Sequence, residues 1–340
     1  MNQSTSNTTP PSSKVNAEPF DIVMCVESGY FERQAKLLLY SIRTAGEEYH
    51  NCPVYIYQGR AKYPVSRESR AFFEQYGAHF ISTSLNTKFT HYTFANKPLV
   101  CAHHEQHSSA KCLVYMDCDM MVYQAPKLFG SLGPNQIQIR PEDARGYGTA
   151  HDFKDENGPI WEAVYQAYSI APAPAVHTIH DYALVQPYYN AGHFQVHRSA
   201  GFCQQWLDNF KRLLKEKMLP KRTFILAEQM AFSFTVTQME LAVVPMGVSY
   251  NFPLNLWAFD EIKHPEYQKV DFEELATLHY HKIFARGTNP AMPWLEKTER
   301  GRDLAAKIEE FGLLESAKLS WQDKIKRRYD NRLAHWKYSH

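Results

Sequence analysis

From Phe20 to Gln124, apolar runs of strand length alternate with segments of helical spacing. "FDIVMCVES" reads as a buried strand. "YFERQAKLLLYSIRTAG" follows with Ala35, Leu38, Leu39 and Ile42 on one helical face and Gly46 as a stop. "CPVYIYQG" is a second strand, "SRESRAFFEQYG" a helix with Ser66 as N-cap, and "AHFISTS" a third strand. "NKPLVCAHHEQHSSA" is a helix feeding a fourth strand, "KCLVYM". Such regular alternation builds βαβ units, which close on a mostly parallel sheet.

The remaining chain bounds the class. Its 340 residues suffice for one large domain with appendages or two modest ones, and the 44% apolar content promises a sizeable core. A net charge of +1 argues against bulk binding to nucleic acid. The six cysteines form no CxxC, a usage that fits reduced thiols in an intracellular protein. Residues 1–19 are polar and proline-bearing, without the apolar core of a secretory leader, and are expected to be a disordered tail. No apolar run reaches the length of a membrane helix, so a cytoplasmic location is expected. Beyond Gln124, "IQIR" and "YYNAGHFQVHR" read as strands. "SAGFCQQWLDNFKRLLKEKM" reads as an amphipathic helix with Phe202, Trp206, Phe210, Leu213 and Leu214 on one side, and "TFILAEQMAFSFTVTQ" as another helix. After Trp294 the chain becomes charged and helical. Residues 140–187 carry no readable motif and are expected to shape the site of a second substrate.

Two acids interrupt the buried run "KCLVYMDCDMMVYQ". Side chains two apart on a strand share a face, so Asp117 and Asp119 can converge while Cys118 turns away. Ligands of open α/β sheets sit beyond the carboxyl ends of the strands. A carboxylate pair there suits a hard divalent cation, which commonly bridges protein acids and substrate phosphates. "HHEQH", His103 to His107, is one residue short of the zinc-protease pattern and lacks its base, so it reads as a solvated or interfacial helix.

The order of motifs resembles GT-A glycosyltransferases, most closely the family-8 type that includes glycogenin-like enzymes and lipopolysaccharide galactosyltransferases. The match spans most of residues 21–295. It comprises Glu27-Ser28-Gly29-Tyr30 where the family has D-x-x-Y, Lys97 in "FANKPLV", "YMDCDMMV" for the metal motif and "YYNAGHFQVHR" for F-N-[AS]-G. Glu228-Gln229 stand for the helix-opening D-Q pair, and "LHYHKI" with a later "MPW" are what remains of the C-terminal donor clamp.

This resemblance implies a GT-A α/β fold over residues 20–298, with a mostly parallel central sheet flanked by helices, and a basic helical extension at 299–340. It implies a nucleotide-diphosphate-sugar donor, UDP by preference, and Mn²⁺ or Mg²⁺ held by Asp117, Asp119 and His279. His281 is the alternative ligand, and imidazole ligation favours Mn²⁺. Val26, Glu27 and Tyr30 would line the base pocket, while Asp117 and Lys282 would serve the diphosphate and Lys97 would contact a donor phosphate or anchor a metal-site acid. Asn190 would hydrogen-bond the donor sugar or nearby backbone, and Gln229 would sit by the anomeric carbon with Glu228 beside it. Cys118 is a packing residue, since nothing nearby lowers its pKa.

The reaction implied is hexosyl transfer to a hydroxyl acceptor (a glycan, a lipid-linked or a small molecule) with retention of anomeric configuration. Two other readings compete. One is a haloacid-dehalogenase-like phosphatase, which also places D-x-D after an apolar strand. The other is a non-catalytic sugar-nucleotide-binding or scaffold protein of the same fold. The tail "DKIKRRYDNRLAHWKYSH" reads first as a solvated or dimer-forming helix, compatible with a homo-oligomer, and second as a segment in weak peripheral contact with an anionic membrane.

Overall fold

The computed structural model describes residues 20–127, 129–171, 173–220, 224–285 and 291–315. The expected basic tail beyond residue 315 and the N-terminal segment before Phe20 lie outside the described residues.

Among the described residues, twelve strands form three sheets. They are β1 (Phe20–Val26), β2 (Val54–Gln58), β3 (His79–Ile81), β4 (Cys112–Met116), β5 (Met120–Val122), β6 (Gln136–Ile139), β7 (Val176–His177), β8 (Leu184–Val185), β9 (His193–His197), β10 (Ala242–Pro245), β11 (Phe252–Pro253) and β12 (Thr277–His279). The central sheet runs β10-β6-β9-β4-β1-β2-β3. Only β9 is reversed, pairing antiparallel with β4 and β6. The mostly parallel sheet flanked by helices is therefore the architecture the alternation called for.

Each central strand alternates its side chains between two cores. In β4, Leu113 and Tyr115 enter one core, and Val114 and Met116 the other. Helices α1 (Tyr30–Arg43), α2 (Glu47–His50) and α3 (Arg67–Gln75) precede α4 (Asn96–His107), α5 (Gly158–Ala167), α6 (Phe202–Lys215) and α7 (Ala227–Gln238). The expected apolar face of α6 is buried throughout, and Ser66 caps α3 by accepting from the Ser69 N–H at 3.1 Å. Gly46 does not end α1. That helix stops at Arg43 with Thr44 as its cap, and Gly46 instead opens α2.

One expectation fails in a way that matters for function. The run broken by Asp117 and Asp119 is two strands in two sheets. β4 ends in the central sheet, and β5 pairs antiparallel with β12 in a small sheet ordered β11-β12-β5. The acids occupy the turn between them, closed by Met120 N–H to Asp117 O at 3.2 Å and anchored by Asp117 N–H to Gly192 O at 2.7 Å. They do not share a strand face. The turn places them where the two sheets part, at the carboxyl end of β4.

Candidate active site

The small sheet brings His279, the last residue of β12, against that turn. Its Nε2 lies 3.3 Å from Asp119 Oδ1. His281, in left-handed backbone at φ 48°, puts Nδ1 3.5 Å from Asp119 Oδ2. Among the described residues, Asp119, His279 and His281 form a group whose ligand atoms lie within 4.8 Å of one another. His279 Nδ1 stands 3.0 Å from the Asn251 side-chain oxygen, an acceptor only, so Nδ1 carries a proton and Nε2 is the nitrogen turned to Asp119, where a cation would meet it. Burial alone would lower the His281 pKa, but its bonds to Asp119 and Asp143 raise it to about 10. Burial likewise opposes ionisation of Asp119, yet His279 and His281 hold it well below the usual carboxylate range. A carboxylate and two imidazoles suit a divalent cation of intermediate softness, whose binding would take the place of a proton on His281.

Asp117 stands apart from this group. Its Oδ2 accepts from Lys97 Nζ at 2.7 Å and its Oδ1 from the Tyr115 hydroxyl at 3.1 Å. Gly192 keeps it close to the imidazole: a Cβ there would lie 2.9 Å from Asp117 Oδ2 and 3.0 Å from His279 Cε1. Lys97 also reaches Glu228 Oε1 at 3.6 Å. Burial would lower the Lys97 pKa, but these two acids raise it above its ordinary value. Burial pushes Glu228 up to about 7 against the opposing pull of Lys97.

A chain of amide and acid contacts backs the site. Asn190 Oδ1 accepts from Gly192 N–H and Asn251 Nδ2, each at 3.0 Å, and its Nδ2 donates to Glu142 at 3.1 Å. Gln229 Nε2 donates to the same Glu142 carboxylate. Of the two partners expected for Asn190, the donor sugar or nearby backbone, the structure shows the backbone: its side-chain oxygen fixes the turn at Gly192. Sequence reading missed Glu142, Asp143 and Asn251. The first two lie in "RPEDARG", just past β6, where no pattern marks them.

The base-pocket residues also behave differently from expectation. Glu27 is buried and held by Arg60, with Nε to Oε1 and Nη2 to Oε2 both at 2.7 Å, and by Asn96 Nδ2 at 2.9 Å. It is the floor of a pocket rather than a free ligand. Val26 is buried and its carbonyl accepts from Gly59 N–H at 2.9 Å. Tyr30 turns away, its hydroxyl donating to Leu313 O at 3.1 Å, and Phe31 lines the cleft instead.

The cleft has two lobes that share Glu27, Phe31, Thr93 and Phe94. The smaller lobe, about 160 Å³, is lined by Lys97, Asp117 and Asp119. The larger, about 400 Å³, is lined by Arg60, Tyr63, His91, Ile225 and Lys282. Acids therefore line the smaller lobe, with Asp119 joining it to the imidazoles of His279 and His281, and cationic and aromatic side chains line the larger one. His103 and His107 stack on each other on α4, away from this cleft, and His104 is buried against Asp21 at 2.9 Å.

Residues 22–240 match the model of the Rhodobacterales glycosyltransferase domain. No curated protein matches the chain significantly by sequence. Solved structures similar to it include galactosyltransferase LgtC in complex with donor and acceptor sugar analogues, at 15% identity and a TM-score of 0.48, covering 84% of this chain and 95% of that one. Mouse xyloside xylosyltransferase 1 is similar at 13% and 0.43, over 77% and 97% of the two chains. GlyE of Streptococcus pneumoniae TIGR4 is similar at 12% and 0.49, over 89% and 66%.

Proposed function

Because this chain belongs to the Rhodobacterales glycosyltransferase family, we propose that it moves a hexose from a nucleotide-diphosphate-sugar, UDP by preference, to a hydroxyl acceptor. The reaction depends on a divalent cation and retains anomeric configuration. The observation that carries this reading is the Asp119–His279–His281 group, whose Asp119 lines the cleft together with the Asp117–Lys97 pair.

Asp119 and His279 would hold the cation with His281 or Asp117, and Mn²⁺ suits the imidazole better than Mg²⁺. When bound, such an ion supplies positive charge against the diphosphate as it leaves. The chain's own residues do the rest. Lys97 stays protonated between Asp117 and Glu228 and holds the Asp117 side chain in place at the diphosphate end. Lys282, in the lining of the larger lobe, would add charge toward the phosphates. Gln229 is an amide and cannot act as a nucleophile. Glu142 receives hydrogen bonds from Asn190 and Gln229, which lower its nucleophilicity. These features favour attack by the acceptor hydroxyl on the face the diphosphate leaves. The anomeric carbon–phosphate oxygen bond breaks, the new glycosidic bond forms, and the acceptor proton passes to the departing phosphate oxygen. The family membership leaves no ground for the phosphatase reading.

Incubation with a panel of sugar nucleotides and Mn²⁺ tests the proposal. Release of nucleoside diphosphate is expected, abolished by EDTA. Release of inorganic phosphate from simple monoesters, or binding of donor with no turnover under any acceptor, would contradict it. NMR of the new linkage checks stereochemistry, and an inverted anomer would rule out same-face attack.

A further inference from the structure

Both imidazoles of the Asp119 group are oriented from behind by residues that meet at one side chain. His279 Nδ1 rests on Asn251 Oδ1 at 3.0 Å, and His281 Nε2 faces Asp143 Oδ2 at 3.8 Å. Asn251 is itself constrained, with left-handed backbone at φ 50° and its N–H bonded to Thr277 Oγ1 at 2.7 Å. The side chain behind both is Arg140, at the carboxyl end of β6. Its Nε donates to Asn251 O at 2.8 Å, and its Nη1 donates to Asp143 Oδ1 at 2.8 Å and to Pro141 O at 2.9 Å.

Arg140 is 0% exposed and its Nη2 has no partner among the described residues. A buried arginine–carboxylate pair is a poor stabilising device, because the desolvation penalty rivals the attraction. Apolar replacements of the pair are often neutral or better for stability. What the planar fork does provide is fixed direction to two acceptors at once, which a lysine cannot reproduce. In metal sites, the partners behind the ligands set ring orientation, and their loss typically lowers metal affinity by about 10–100-fold.

We propose that Arg140 is a positioning residue of the cation site: one guanidinium, acting through Asn251 and Asp143, sets the orientation of His279 and His281 together. It touches neither imidazole and no substrate. The inference rests on the cation reading above and extends it to a residue outside the cleft. Arg140 and Asp143 act here as a geometric unit, so their replacement separates affinity from stability.

The test is the Mn²⁺ affinity of the full chain without nucleotide, followed by electron paramagnetic resonance, together with the melting temperature of the same samples. R140K keeps charge and loses the fork, and Mn²⁺ affinity is expected to fall about tenfold or more with the protein still folded. R140M/D143L removes the buried pair outright. It is expected to melt at or near the wild-type temperature and to bind Mn²⁺ as weakly as R140K or more so. Mn²⁺ affinity within twofold of wild type in both folded variants would overturn the inference and leave the cation site standing. Absence of Mn²⁺ binding by the wild-type protein would overturn both. A loss of melting temperature in R140M/D143L with unchanged affinity in the folded protein would make Arg140 a structural residue and also refute the proposal.

Discussion

Glu228 is the residue whose chemistry is most altered by its position. It is 1% exposed, has one partner in Lys97 and leaves Oε2 without one among the described residues. Its pKa rises from an ordinary 4.5 to about 7. The folded state therefore holds the proton more tightly than the unfolded chain. Stability falls as pH rises from about 4.5 to about 7 and is level above that. E228Q removes this slope while Lys97 keeps Asp117. In metal-free urea titrations the variant is expected to gain on wild type by on the order of 1–3 kcal/mol between pH 4.5 and pH 8. An equal difference at both pH values would refute the assignment. At this scale the sequence was informative where a residue type carries its chemistry anywhere: Asp119 and Lys97 line the cleft, and His279 lies against Asp119. It was silent on Glu142, Asp143 and Asn251, because an acid or amide in a loop gains its role only from what folds beside it. It also misled at Tyr30, since position in a motif does not fix which way an aromatic ring turns.

At the level of elements, short strands and buried helices followed from apolar spacing, and β4 ends at Met116 as its apolar run does. Sheet membership did not follow. Nothing local in Met120–Val122 says that it leaves the central sheet for β12, since pairing is decided by a partner more than 150 residues away along the chain. Helix α5 was unread because it opens on Gly158-Pro159, a pair that reads as a turn although proline is well tolerated in a first helical turn. The helix Glu299–Glu310, expected to begin a separate extension, packs Leu304, Ala305 and Ile308 into the same core as Leu37 of α1. Its Arg300 donates to the carbonyls of Tyr123, Ser41 and Val122 at 3.1, 2.9 and 3.0 Å. We propose that this helix belongs to the catalytic body. Arg300→Ala would strip bonds from carbonyls of α1 and β5 and is expected to cost about 2–3 kcal/mol in denaturant unfolding. A loss below about 0.5 kcal/mol, the level of an ordinary surface change, would mark the helix as a detachable appendage.

For the whole molecule, the site exists because two sheets diverge at one turn. The central sheet carries β4 and β9 to the point where Asp117 meets Gly192, and the small sheet carries β12 to the same point from the other side. A parallel sheet was legible in the alternation of the first strands and helices. The junction was not, because it joins segments from three distant parts of the chain. The central claim is that this junction grips a diphosphate through a cation. Calorimetric titration of UDP into wild-type protein and D119N, each with Mn²⁺ and with EDTA, tests it most directly. The account predicts binding by wild type only with Mn²⁺, weakened at least about tenfold in D119N, the scale of a lost charged contact. UDP affinity that is the same with EDTA as with Mn²⁺, and the same in D119N, would contradict it.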